Sequence, residues 1–140
     1  MKRIVVGVDG SEDSIQAVAF AGRLAKETGA GLTVVYVQHV PVGDSGPPFV
    51  GPPELERDHR MAERRVARRV VKALMPLTVP WDLEVGGGDV AEEVQRVARE
   101  RGADLIVVGT RGQGPIGRLL GGSVSTRVVH HADRPVLVVR

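Results

Sequence analysis

Short apolar runs that do not alternate with polar residues constrain this chain more than any other feature. Ile4 to Val8, Leu32 to Val37, Leu105 to Val108 and Val136 to Val139 are runs of four to six residues rich in Val and Ile. A strand with one wet face alternates apolar with polar residues, whereas an unbroken run reads as a strand covered on both faces, as in a parallel sheet. A fifth run, Trp81 to Val85, alternates with Asp82 and Glu84. It reads as an edge strand with one face in water.

Amphipathic stretches separate these runs, and their ends are marked. Ser11 is placed to cap a helix with Glu12 and Asp13 in its first turn, where the dipole favours negative charge; Ile15, Val18, Ala19, Gly22 and Ala25 form its apolar face and Gly29 stops it. A second helix is expected over about Glu54 to Met75, with Leu55, Ala62, Val66, Val70 and Ala73 inward. A third starts from Asp89 as N-cap, with Glu92 three residues on, and runs through Val90, Val94, Val97 and Ala98 to Gly102. A fourth, short helix covers Ser123 to about His131, and Pro135 prevents its continuation.

The order β-α-β-α-β-α-β-α-β with right-handed crossovers gives an α/β fold, a single doubly wound five-stranded parallel sheet with helices on both faces. A chain of 140 residues suffices for one core, so residues 1–140 are expected to form one domain. Ligands of such sheets sit beyond the carboxyl ends of the strands, where strand order reverses. Those ends are Val8-Asp9-Gly10, Val37-Gln38-His39, Gly86-Gly87-Gly88 and Gly109-Thr110-Arg111. The segment 39–53, with three glycines and five prolines, is expected to form a flap after the second strand.

Composition removes several kinds of chemistry. With no Cys there are no disulfides, thiolate metal sites or cysteine nucleophiles, which suits a reducing compartment. Four aromatic residues, Phe20, Tyr36, Phe49 and Trp81, are too few for a base-stacking surface, and a net charge of +2 does not call for a polyanion. The many arginines of the second helix are diluted by Glu54, Glu56, Asp58 and Glu63 and read as a solvated face, so no nucleic-acid partner is expected. The apolar run at Met1 to Gly7 is too short for a signal peptide, and no segment approaches the roughly 20 apolar residues of a membrane span. A soluble, cytoplasmic protein without a membrane partner is the expectation. Adjacent His130 and His131 face different directions on a helix, and His39 and His59 lack metal-ligand spacing, so no metal site is expected.

The most informative segment follows the fourth strand. Six of the 18 glycines (109, 112, 114, 117, 121 and 122) fall within fourteen positions, between a buried strand and a helix start. Glycines let backbone N–H groups approach an anion, and a helix N-terminus adds its dipole. Ser123 and Ser125 add hydroxyls, and Arg111, Arg118 and Arg127 are the nearest cations. Two familiar motifs fail here. Gly112 to Gly117 spells G-x-G-x-x-G but does not open a βαβ unit; Gly117 to Gly122 has P-loop spacing, but Ser123 stands where the lysine belongs.

The pattern that does fit is Gly109-x2-Gly112-x9-Gly122-Ser123, which resembles the G-x2-G-x9-G-[ST] signature of the universal stress proteins, in their ATP-binding branch. The resemblance extends over the whole chain, through Lys2 to Ser11, Val35-Tyr36-Val37, Gly88, Ala103 to Gly109 and Arg134 to Val139. It implies an adenine-nucleotide alpha-hydrolase-like fold and a bound ATP, with Mg²⁺ carried by the phosphates. Gly7, Val8, Asp9 and Val37 would surround base and ribose, Val108 would floor the pocket, and the phosphates would meet Gly109, Gly112, Gly122, Ser123, Val124 and Ser125 beside Arg111. The same family commonly dimerises through its last strand, here Val136 to Val139.

The residues supply no evident nucleophile, general base or catalytic lysine, so the expected role is a nucleotide-dependent stress-response switch with at most slow hydrolysis. The alternative is an adenylating or slowly hydrolysing enzyme. It rests on Asp9 to Ser14, which loosely resembles the S-G-G-x-D-S loop of ATP pyrophosphatases but places Asp9 where a hydroxyl is wanted.

Overall fold

The computed structural model describes residues 1–38, 53–110 and 124–140, with backbone alone for residues 124 and 125. Its elements are β1 (Arg3–Val8), α1 (Glu12–Thr28), β2 (Gly31–Gln38), α2 (Pro53–Leu74), a 3-10 turn (Met75–Leu77), β3 (Trp81–Gly87), α3 (Val90–Glu100), β4 (Leu105–Gly109), α4 (Val124–His131) and β5 (Val136–Val139). The strands form one all-parallel sheet in the order β3-β2-β1-β4-β5. This is the expected α/β architecture. None of the described helices is long and apolar enough to cross a membrane.

The unbroken apolar runs are explained by two cores, one on each face. Successive side chains of a strand point to opposite sides. Ile4, Val6 and Val8 of β1, with Leu32, Val34 and Tyr36 of β2, pack under α1 and α2. Val5 of β1, Val35 and Val37 of β2 and Ile106 and Val108 of β4 pack under α3, where Ala91, Val94, Val97 and Ala98 meet them, and under Val128 of α4. The central strands are therefore apolar at nearly every buried position, with Thr33 of β2 the buried polar exception. Burying each such Val, Leu or Ile contributes about 1.5–3 kcal/mol, more than any single polar contact here.

Helix ends follow the local signals. Ser11 caps α1 by accepting from the Ser14 N–H at 3.2 Å, and Gly29 ends it in the left-handed conformation. Asp89 caps α3 through the Glu92 N–H at 3.0 Å.

Several inward faces and boundaries differ from the sequence expectation. In α1, Ala17 and Ala21 are buried where Ala19 was expected, because the helix is rotated to lay its small residues on β1 and β4. In α2 the buried line is Val66, Val70 and Leu74, while Leu55 is 36% exposed, since only the later part of the helix lies over the core. Pro53, expected in a loop, opens α2, and Gly86 and Gly87 extend β3 opposite Val37 and Gln38. The expected flap otherwise lies outside the described residues.

The edge strand β3 keeps its polar face. Asp82 meets Arg101 at 3.2 Å and accepts from the Thr33 hydroxyl at 2.8 Å; Glu84 meets Arg101 at 3.1 Å and Arg96 at 3.4 Å. At the other edge β5 pairs only with β4.

Candidate functional site

The connections after β1 and β2 run over the face covered by α1 and α2, and those after β3 and β4 over the face covered by α3 and α4. Strand order therefore reverses between β1 and β4, the position where sheets of this kind take ligands beyond the carboxyl ends of the strands. Asp9 and Gly10 leave β1 at this point, and Gly109 and Thr110 leave β4.

The turn after β1 is held by its own polar groups. The Ser11 N–H donates to Asp9 Oδ1 at 2.8 Å, the Asp9 N–H donates to Ser14 Oγ at 3.3 Å, and the Ser14 hydroxyl donates to the Ser11 carbonyl at 2.9 Å. Gly10 allows the tight turn with φ +89°, a left-handed value that a side chain would strain. From α2, Arg69 donates to the Gly10 carbonyl and pairs with Glu12 at 2.5 Å. A second tie joins α2 to the end of β2, where Gln38 Nε2 donates to the His59 carbonyl at 3.0 Å. Thus α2 ties down the turn after β1 and the end of β2 at the carboxyl edge.

The predicted site residues divide between the two faces. Val37 and Val108 are buried in the same core beneath α3 and α4. Val8 is buried on the opposite face, under α1 and α2, so its side chain lies in a different layer from theirs. Gly7 belongs to the α3 side, where an added Cβ would come within 3.0 Å of Val94 Cγ2. Gly109 is crowded by backbone: an added Cβ would lie 2.9 Å from the Asp13 carbonyl oxygen and 3.2 Å from the Ser14 nitrogen. The Thr110 N–H is taken by the Val139 carbonyl at 3.0 Å. The space that a side chain would need at Gly7 and Gly109 is thus occupied by protein. Val124 opens α4 and Ser125 follows it, whereas Arg111, Gly112, Gly122 and Ser123 lie outside the described residues.

Arg127, read from sequence as a cation near the glycine segment, is bound elsewhere. Its Nη1 lies 2.6 Å from Asp89 Oδ2, which ties α4 to the N-terminus of α3. Burial alone would push Asp89 up, but hydrogen bonds from Arg127 and from the Glu92 and Ala91 N–H groups outweigh it and hold the carboxyl below its usual value. Tyr36 is shifted the other way, raised by burial and by the Glu63 carboxylate.

Sequence reasoning missed Ser14 and Arg69. Ser14 entered the sequence reading as the last residue of the segment likened to the ATP pyrophosphatase loop; its hold on the turn shows only in the bond from the Asp9 N–H. Arg69 was one arginine among many, and nothing local distinguishes the one that reaches Gly10.

Comparison with known proteins fits this architecture. The family model described as "Universal stress protein family" matches residues 1–140. A universal stress protein of Thermus aquaticus is 37% identical over 140 residues, covering 99% of this chain and 98% of the relative. A crystal structure of a protein from the same family in Burkholderia pseudomallei superposes with a TM-score of 0.74 at 32% identity, covering 98% of this chain and 94% of that one. The crystal structure of a universal stress protein in complex with cAMP gives a TM-score of 0.76 at 28% identity over 99% and 97% of the two chains. The sheet order, the capped turn after β1 and a match that leaves no residue outside it agree, and the chain belongs to the universal stress protein family.

Proposed function

We propose that residues 1–140 act as one nucleotide-binding domain that holds ATP at the carboxyl ends of β1, β2 and β4 and serves as a cytoplasmic regulatory switch. The observation that carries this reading is the reversal of strand order between β1 and β4, with an acceptor carboxylate on one side and a glycine-rich segment joining β4 to α4 on the other. The donor set fits an adenine nucleotide. Asp9 offers carboxylate oxygen to ribose hydroxyls or the adenine amino group, and Val37 and Val108 supply aliphatic surface. Gly112, Gly122, Ser123 and the start of α4 at Val124 and Ser125 would present N–H groups and hydroxyls to the phosphates beside Arg111. Val8, facing the other layer, would contribute backbone. The complex of a 28% identical relative with cAMP supports an adenine ligand of this class.

Among the described residues no three His, Cys, Asp or Glu side chains are grouped to hold a metal. Mg²⁺ would be carried by the phosphates of the bound nucleotide. The family relationship and the exposed edge of β5 support a homodimer through Val136 to Val139.

The decisive experiment is mass spectrometry of the nucleotide released when the purified protein is denatured, paired with thermal unfolding in added ATP. ATP is expected to co-purify and to raise the melting temperature. Gly122→Val, which blocks backbone approach, should abolish both effects while leaving the circular dichroism unchanged. Unchanged ATP affinity in that folded variant would refute the loop assignment, and sustained turnover near the median enzyme rate of about 10 s⁻¹ would replace the switch with an enzyme.

A further inference from the structure

The solvent side of α2 combines exposed apolar side chains with a run of cations. Met61, Arg64, Arg68, Val71 and Met75 succeed one another at steps of three or four residues, so they line one face of the helix and of the turn that continues it. All five are exposed; Met61 is 53%, Val71 40% and Met75 73% accessible. Arg60, Arg65 and Lys72 flank this line and are also exposed. From residue 60 to residue 75 the only acidic residue is Glu63, which is half-buried, and among the described residues none of these five cations forms an ion pair.

In the groove beside α3 the two central cations are compensated. The groove of about 560 Å³ between α3 and α4 contains Arg96 and Arg127, but these are paired with Glu93 and Asp89. Among the described residues, Arg69, which points toward the β1 turn, is the cation of α2 that has such a partner.

We propose that this face of α2 is a docking surface for an acidic amphipathic helix of a partner protein. The steps of three and four residues are those of a helix–helix seam. Apolar side chains stand at both ends of the seam, with two guanidinium groups between them. A partner helix would therefore carry apolar residues opposite Met61, Val71 and Met75, carboxylates opposite Arg64 and Arg68, and further carboxylates along its flanks. From Met61 to Met75 the seam is about 21 Å long, enough for some four turns of a partner.

Charge excludes a second copy of this chain, because two such faces would oppose arginine with arginine. A bilayer is a poorer occupant, since inserting Met61 and Met75 would carry Arg64 and Arg68 into the interface, whereas membrane-lying helices present a continuous apolar face.

The test uses the full-length protein and a fluorescent helical peptide of about 20 residues, long enough to hold helix, with leucine and glutamate at the complementary positions. A peptide of identical composition, permuted so that its leucines and glutamates scatter around the helix, is the control. Saturable anisotropy is expected with the first peptide, weakened about tenfold by the permutation, by Arg64→Glu with Arg68→Glu, and by raising salt from about 50 to about 200 mM. Met61→Ser with Met75→Ser should weaken it too, which a purely polyanionic attraction would not show. Equal binding of the permuted peptide, no binding of either, or insensitivity to the arginine changes overturns the proposal. Vesicles of phosphatidylserine and phosphatidylcholine form the last arm: binding to them, without binding of the ordered peptide, assigns the face to a membrane surface and sinks the partner helix.

Discussion

A Cβ at Gly109 would stand 2.9 Å from the Asp13 carbonyl oxygen and 3.0 Å from its carbon, and neither backbone atom can rotate away. The end of β4 therefore requires glycine for the sake of α1, whatever else the residue does. Gly109→Ala should destabilise the nucleotide-free protein by about 1–3 kcal/mol, the usual cost of overpacking. Thermal unfolding without nucleotide measures this as a fall of about 4 °C per kcal/mol in a chain of this size. An unchanged melting temperature, with only ligand affinity lost, would contradict the packing role. The sequence places Gly109 in a glycine pattern that can be read because it is local. Its packing partner cannot, since Asp13 is brought to it only by the pairing of β1 with β4. Val8 and Val37 differ for the same reason. Both are apolar residues at strand ends, and the layer each faces is set by strand parity relative to helices placed by the crossovers.

At the scale of elements, the ends that carry a local chemical signal were the most readable. Ser11, Gly29 and Asp89 act where expected because a cap needs only residues within one turn. The rotation of a helix about its axis depends on what it packs against, and so Ala19 and Leu55 were misplaced. Asp89 shows how one capping residue takes on a second task, joining α3 to α4 through Arg127. Asn caps as well as Asp, so Asp89→Asn removes the charge and keeps the cap, whereas Asp89→Ala removes both. The expected cost is up to about 1 kcal/mol for Asn at this partly exposed pair and about 1–2 kcal/mol for Ala. The pH dependence has a definite sign. A carboxyl held below its unfolded value of 3.8 contributes stability that is fully present above that pH and is lost as pH falls through the lower folded value. Urea titrations should therefore show wild type and the Asn variant converging as pH drops below about 3.8 and separated at neutral pH. A gap independent of pH would mean that the Asp89 charge does not stabilise the fold.

For the molecule as a whole, the strand class and the two covered faces were legible because five apolar runs and four amphipathic stretches admit few arrangements once crossovers are right-handed. Which strand became the second edge was supplied by the resemblance and by the sheet itself. The two edges are finished differently. β3 carries Asp82 and Glu84, bound by Arg101 and Arg96, and such charges discourage pairing with another chain. β5 reads Val-Leu-Val-Val, none of its residues is fully buried in the single chain, and Val138 is 37% exposed. Its outer side presents backbone donors and acceptors beside apolar side chains with no charge to deter a partner strand. This asymmetry is the physical argument for association through β5, and Val138→Lys puts the missing charge there. Sedimentation should show a dimer for the wild type and a monomer for the variant, with the folded circular dichroism of both alike. A Lys variant that remains dimeric would move the interface elsewhere, and a monomeric wild type would mean that four strand residues and their side chains bury too little to hold two copies together.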